Sequence, residues 1–184
     1  MTFNLSVRMM IMKHYLPRLV DKLLVDDLEA FGAVVITGPK WCGKTTTGLN
    51  QANSALFLQN SDERKQDLRL GDVKPSLLLE GDNPRLIDEW QDAPQLWDSV
   101  RFSVDQRAET GLYILTGSTS VDESLIPHTG TGRISRLKMR TMNLFESGDS
   151  TGDVAISDLL NGKEIAAQSP NTIKDIARFI VGGG

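Results

Sequence analysis

The stretch VVITGPKWCGKTTT, residues 34 to 47, decides the fold class. Its apolar start is typical of a buried strand, and the residues after the second glycine favour a helix. The intervening loop, residues 38 to 45, matches the pattern G-x-x-x-x-G-K-[ST], known as Walker A. Because this pattern requires a strand before it and a helix after it, the segment predicts a phosphate-binding loop in an α/β fold; an ordinary glycine-rich turn is the alternative.

The residue types in this loop suit a triphosphate. Glycines permit a tight turn that brings backbone N–H groups against phosphate oxygens, and the helix adds the positive end of its dipole. We expect Lys44 to reach the β- and γ-phosphates, the Thr45 hydroxyl to hold Mg²⁺, and Thr46 to lie near the α-phosphate. The predicted ligands are ATP and Mg²⁺. The predicted binding residues are Gly38, Pro39, Lys40, Trp41, Cys42, Gly43, Lys44, Thr45 and Thr46.

An acidic pair follows another predicted strand. Leu86 and Ile87 lead directly into Asp88 and Glu89, an arrangement that resembles a Walker B motif. In that motif the first acid coordinates Mg²⁺ and the second polarises the attacking water. We therefore assign Asp88 to the metal and Glu89 to catalysis; because the apolar run is short, a solvated acidic turn is the alternative.

Hydroxyls and arginines complete the candidate site. Thr116 and Ser118 follow a fourth predicted strand, where they would sense the γ-phosphate or position water, or alternatively cap a turn. Arg133, after a glycine-containing segment, is the first candidate for an arginine that a neighbouring subunit supplies to the transferred phosphoryl group. Arg136 is the second, and for both a surface cation is the alternative. The predicted catalytic set is Lys44, Glu89, Thr116 and Arg133.

The hydrophobic period switches repeatedly between helix and strand. Strands alternating with helices predict a mainly parallel, five-stranded sheet flanked by helices, with the fifth strand at or near an edge. A fourth helix is expected to be capped by Asp92 and to end before Gly111. The other predicted helices are residues 16–31, the Walker A helix to about 53, 62–70 and 172–181, and the predicted strands are 33–36, 55–58, 86–87, 113–115 and 136–141.

Composition excludes several classes of function. The 184 residues carry a formal charge of −4, so the net charge does not indicate nucleic-acid binding, which would have to rest on a local basic patch such as residues 133 to 140. One cysteine and two histidines exclude a disulfide framework and a structural zinc site, which favours a reducing, cytoplasmic setting. No stretch approaches the roughly 18 to 20 apolar residues of a membrane span.

Three regions are predicted along the chain. Residues 1–14 form an N-terminal extension, residues 15–147 the nucleotide-binding domain, and residues 148–184 a linker and the start of a C-terminal region with a short helical tail. The segment ESGDSTGD, residues 146 to 153, is rich in small and acidic residues and is predicted to be the linker.

Four segments together resemble one protein family. They read GPKWCGKTT, RLIDEWQ, YILTGS and TGRISRLKMRTMNLFESG. The sequence from about Tyr15 onwards is similar to predicted bacterial and archaeal AAA+-type ATPases, in which an AAA+ module is joined to a C-terminal domain of unknown function. The last two segments are more specific than the Walker A loop alone.

The resemblance implies a strand order, a site and a larger protein. It implies the AAA+ strand order, Walker acids at Asp88 and Glu89, a sensor at Thr116 or Ser118, and a basic finger near Arg133. Family members continue past a Gly-Gly segment like the one near residue 182, so we expect this chain to be truncated after the AAA+ module.

Three functions stay open at this point. The leading hypothesis is an Mg²⁺-dependent ATPase that couples hydrolysis to a conformational change in a partner or second domain, with a homo-oligomer or a protein as partner. A nucleotide-binding switch, or a truncated copy without turnover, is the second. A P-loop small-molecule kinase is the third, with SDERKQDLRLGDVKP, residues 61 to 75, as its lid. We also expect alkylation of Cys42 to block nucleotide binding.

Overall fold

The computed structural model describes residues 15–60, 62–118 and 130–182. Within these ranges the chain divides into two compact units. The first contains Tyr15 and residues 19–140, and the second contains residues 16–18 and those from 141 onwards. The expected N-terminal extension, residues 1–14, lies outside the described residues, and the predicted domain boundaries stay a prediction.

The first unit alternates strands and helices as the hydrophobic pattern predicts. Its helices are α1 (Val20–Ala30), α2 (Lys44–Gln51), α3 (Arg64–Val73) and α4 (Gln95–Arg107). Its strands are β1 (Ala33–Gly38), β2 (Ser54–Phe57), β3 (Arg85–Asp88), β4 (Tyr113–Ser118) and β5 (Ile134–Lys138), and 3₁₀ turns cover Pro75–Leu79 and Trp90–Asp92.

The five strands form one parallel sheet in the order β2-β3-β4-β1-β5. The predicted α/β fold with a parallel five-stranded sheet is therefore confirmed, and so is the edge position of β5. In the register, Ile36 of β1 lies opposite Thr116 of β4, and Ile87 of β3 lies opposite Leu115. The carboxyl ends of β1, β3 and β4 consequently lie side by side at the same end of the sheet.

Both faces of the sheet are covered, which explains why its strands are almost continuously apolar. On one face, Val34 and Ile36 pack in a cluster with Leu24 and Leu28 of α1. On the other, Val35 belongs to a cluster that includes α4 residues and the two tryptophans that follow β3. The rings of those tryptophans, Trp90 and Trp97, lie 5.0 Å apart between centroids.

Several predicted boundaries were wrong, for identifiable reasons. Helix α1 begins at Val20 instead of residue 16, and Leu19 and Leu23 are 59% and 53% exposed, so the apolar period overstated the buried face. Pro94, not Asp92, occupies the N-cap position of α4, because Asp92 belongs to a preceding 3₁₀ turn. Strand β4 continues to residue 118 because pairing with β1 extends the ladder through its polar residues.

The second unit contains two helices, α5 (Ile156–Leu160) and α6 (Ile173–Gly182). Within it, Arg18 Nε donates to Glu146 Oε1 at 3.1 Å, and only 5% of each side chain is exposed. Thr172 and Asp175 exchange hydrogen bonds at the start of α6, which satisfies backbone donors at that helix end. Among the described residues, no helix has both the length and the apolar content to cross a membrane.

Candidate functional site

The loop between β1 and α2 depends on two glycines. Gly43 has φ 94° and stands at the N-cap of α2, a left-handed conformation that glycine adopts without steric cost. At Gly38 a Cβ atom would lie 2.5 Å from the Met139 carbonyl oxygen and 3.0 Å from Cys42 Sγ. Neither glycine can therefore be replaced without moving the loop.

Lys44 is held inside this loop. Only 6% of the residue is exposed, and its Nζ donates to the carbonyl oxygens of Gly38 at 3.0 Å and Pro39 at 2.8 Å. A buried ammonium group needs such partners, because burying an unpaired charge is very costly. The lysine charge is thus concentrated within the concave backbone of the loop.

Asp88 joins the loop to the neighbouring strands. The hydroxyl groups of Thr45 and Thr116 both donate to Asp88 Oδ1, each at 2.6 Å. Thr116 Oγ1 in turn accepts the backbone N–H of Glu89 at 3.2 Å. Residues from α2, β3 and β4 therefore converge in one hydrogen-bonded network, in which Thr116 also binds the backbone N–H that precedes the 3₁₀ turn.

Glu89 follows β3 with an unusual backbone conformation. Its φ of 56° and ψ of 50° place a non-glycine residue in the left-handed region, immediately before the 3₁₀ turn. The chain folds back there, and Gln91 Nε2 donates to Glu89 Oε2. Gln91 was not predicted from the sequence. Its contact depends on the left-handed backbone of Glu89, and no glycine at that position indicates such a conformation.

Magnesium suits the oxygen donors of this network. Mg²⁺ is usually held by one or two carboxylates together with substrate phosphates and water, and it does not need a dedicated protein cage. Thr45 Oγ1 and Asp88 Oδ1 lie 2.6 Å apart and offer hard oxygen ligands of the required kind. No group of three or more His, Cys, Asp or Glu residues fit to hold a metal occurs in the described part of the chain. The donor chemistry fits a shared protein and phosphate site.

Other loop residues differ in exposure. Trp41 is 99% exposed and has a left-handed backbone, with φ 68°. Lys40 and Thr46 are also exposed. Cys42, in contrast, is buried, with only 4% of its surface exposed, and the predicted effect of its alkylation stays a prediction.

The predicted arginines lie away from this network. The Arg133 carbonyl oxygen accepts the N–H of Ala33, which is the first residue of β1, whereas Gly38 is its last. At about 3.3 Å per residue, the two ends of β1 are about 17 Å apart. The Arg133 side chain pairs with Asp105 of α4, and Arg136 places its guanidinium 5.7 Å from the Trp97 ring centroid. The structure therefore brings together Lys44, Thr45, Asp88, Glu89 and Thr116, but not Arg133.

Comparisons with known proteins agree with this geometry. Residues 30–147 match the model of a family described as AAA domain. Two uncharacterized proteins, from Mycobacterium bovis and Mycobacterium tuberculosis, are each 31% identical to the chain over 123 residues. These matches cover 65% of this chain and 27% of each relative, so the matched region is about a quarter of the length of these relatives.

Similarity also extends to a solved structure, that of C. elegans PCH-2. It covers 77% of this chain and 42% of that one, with 15% identity and a TM-score of 0.40. The family match includes the loop, the acidic pair and all five strands. The chain therefore belongs to the AAA domain family of AAA+-type P-loop ATPases, and it carries a nucleotide-binding domain of that type.

Proposed function

We propose that this protein binds ATP together with Mg²⁺, hydrolyses it to ADP and phosphate, and couples hydrolysis to a conformational change in a partner or a second domain. The observation that carries the proposal is the convergence of Thr45, Asp88 and Thr116 through two hydrogen bonds of 2.6 Å. A cytoplasmic location and a homo-oligomeric or protein partner belong to the same proposal.

In the proposed binding step, the phosphates take over hydrogen bonds that the loop makes internally. Lys44 Nζ turns from the carbonyl oxygens of Gly38 and Pro39 towards the β- and γ-phosphates. Thr45 and Asp88 would hold Mg²⁺, which neutralises charge on the phosphates when it is bound. The backbone N–H groups of residues 38 to 46 surround the remaining phosphate oxygens.

In the proposed hydrolytic step, Glu89 accepts a proton from water. The water oxygen forms a bond to the γ-phosphorus while the bond to the bridging oxygen breaks, and ADP leaves with that electron pair. The Thr116 hydroxyl holds Asp88 and the backbone of Glu89, so it aligns both acids at the end of the sheet. Ser118, at the end of the same strand, is a further candidate for contacting the γ-phosphate.

The distance between Arg133 and the loop of its own copy supports a role for Arg133 on another copy of the chain. Its position near the amino end of β1 is about 17 Å from the loop of its own copy. We propose that Arg133, or Arg136 as the second candidate, stabilises the phosphoryl group bound to a neighbouring subunit.

The decisive experiment compares the unaltered protein with Glu89→Gln. Mg²⁺-dependent phosphate release from ATP is measured for both, and nucleotide affinity is measured in parallel. Loss of a general base costs about 10²- to 10⁴-fold in rate, so we expect turnover to fall by that order while binding persists. Binding without turnover in the unaltered protein would instead identify a nucleotide-dependent switch, and phosphate transfer to a metabolite would identify a kinase.

A further inference from the structure

The two residues that follow Glu89 carry polar side-chain groups to which the proposed hydrolysis of ATP assigns no role. Gln91 and Trp90 belong to the 3₁₀ turn that follows β3, and the Trp90 residue is only 2% exposed. One end of the Gln91 carboxamide has a hydrogen-bond partner, because Nε2 donates to Glu89 Oε2. Its other end, Oε1, is buried without a hydrogen-bond partner, and so is Trp90 Nε1.

Gly117 of β4 makes room for both unpartnered atoms. A Cβ atom at Gly117 would lie 2.8 Å from Gln91 Oε1 and 2.9 Å from Trp90 Nε1. Gly117 is flanked by Thr116, which accepts the Glu89 N–H. Near the end of β4, Thr116 therefore binds the backbone N–H of Glu89, and the absence of a side chain at Gly117 leaves space for Gln91.

This arrangement lowers the stability of the fold for two reasons. A buried polar group without a partner loses its hydration uncompensated, and a left-handed backbone at a non-glycine residue such as Glu89 adds steric strain. Such costs tend to persist at functional sites, where the surrounding structure enforces a particular geometry. Here the enforced geometry places the Gln91 carboxamide against the Glu89 carboxylate.

We propose that Gln91 is a positioning residue for ATP hydrolysis, which holds one oxygen of Glu89 so that the other faces the attacking water. The inference rests on the proposed hydrolytic function of Glu89. Gln91 transfers no proton; Glu89 takes the proton from water as described, and Gln91 restricts the orientations of the carboxylate that receives it. Removing the restraint misaligns the base, and such misplacement costs up to about 10²-fold in rate.

The test is a set of substitutions at position 91 in the full chain. Gln91→Met keeps the length and volume but removes the donor, and Gln91→Asn keeps the carboxamide one methylene too short. For both we expect kcat to fall about 10- to 100-fold while KM and ATP affinity stay within threefold. In the Glu89→Gln background, single-turnover measurements of Gln91→Met should show a further change below threefold, because Gln91 acts through Glu89. Gln106→Met, at an exposed glutamine of α4, is the matched control and should leave kcat unchanged.

Each other outcome overturns the inference. If Gln91→Met and Gln91→Asn both keep kcat within threefold, or if ATP affinity falls in parallel with kcat, Gln91 does not position Glu89. Additive losses in the double variant would show that it acts elsewhere. The Asn variant decides alone if the Met variant fails to fold. Lack of turnover in the unaltered protein would remove the proposed function as well, whereas normal turnover that depends on Glu89 but not on Gln91 removes only this inference.

Discussion

Thr45 and Asp88 are 43 residues apart in the chain, yet the Thr45 hydroxyl donates to Asp88 Oδ1 at 2.6 Å. Thr45 is the second residue of α2 and Asp88 is the last residue of β3, so the hydrogen bond joins two separate βα units. Thr116, within β4, donates to the same oxygen. A single carboxylate oxygen thereby ties the Walker A loop to the rest of the site.

Substitution of Thr45 should separate metal-dependent binding from the rest of nucleotide binding. Thr45→Val keeps the shape but removes the hydroxyl, so we expect ATP affinity in Mg²⁺ to fall at least about 10-fold, with little change in EDTA. Thr45→Ser keeps the oxygen and should stay within a few-fold of the unaltered protein. Isothermal titration with and without Mg²⁺ provides the measurement, and equal losses in both conditions would contradict the assignment.

Trp41 should report nucleotide binding by fluorescence. Of the three tryptophans in the chain, Trp41 is 99% exposed while Trp90 and Trp97 are 2% and 0% exposed. Iodide should therefore quench Trp41 selectively, and ATP in the adjacent loop should reduce that quenching. Trp41→Phe is the control, since it should abolish the quenchable fraction. Unchanged quenching at saturating ATP, with binding verified by calorimetry, would show that the nucleotide lies away from this side chain.

Arg133 should act between copies of the chain. We expect Arg133→Ala to retain ATP binding and to lose turnover by about 10³-fold or more, the order found when an arginine finger is removed. Because Arg133→Ala keeps Glu89 and Glu89→Gln keeps Arg133, mixing the two inactive variants should restore part of the activity in mixed assemblies. Phosphate release from an equimolar mixture is the measurement. A mixture no more active than its components would refute a role in trans.

Arg85 should contribute strongly to stability although it is charged. It is 8% exposed, and its guanidinium donates to Leu78 O and Ser54 Oγ, each at 3.0 Å. Burial lowers the pKa of Arg85 from its ordinary value. Arg85→Met leaves both acceptors without this donor, so we expect a loss of about 2–4 kcal/mol in urea unfolding. Arg69→Met, at an exposed arginine of α3, is the control, and equal stability of the two variants would contradict the prediction.

Asp175 should make the start of α6 sensitive to acid. The Thr172 hydroxyl and backbone N–H both donate to Asp175 Oδ2, and these hydrogen bonds lower the pKa of Asp175. Since the folded pKa lies below the unfolded value of about 3.9, the stabilisation is complete above that value and disappears as pH falls through the folded pKa.

The carboxyl titration followed by NMR should therefore have a lower midpoint in the unaltered protein than in Thr172→Ala. Thr172→Ser should retain the low midpoint because it keeps the hydroxyl donor. Identical midpoints in all three proteins would show that the Thr172 hydroxyl does not lower the pKa of Asp175.

Local patterns predicted much of the site. Asp88, Glu89 and Thr116 were named from the sequence because residues at the carboxyl ends of parallel strands lie side by side, and their roles in binding and catalysis stay a prediction. Gln91 was missed because its contact with Glu89 depends on the left-handed backbone of Glu89, and no neighbouring residue type predicts that conformation. The start of α1 was misplaced since exposed leucines continue the helical period beyond the buried face.

The amino-acid sequence by itself determined the fold class and the phosphate-binding loop, because both depend on contiguous residues: apolar strands, a glycine-lysine loop and the helix after it. Only the tertiary structure decided which hydroxyls reach Asp88 and that Arg133 lies at the opposite end of β1. Those relations follow from the strand order β2-β3-β4-β1-β5, which places distant segments side by side through hydrogen-bonded pairing. Such pairing is a property of the assembled sheet and is absent from any local stretch of the chain.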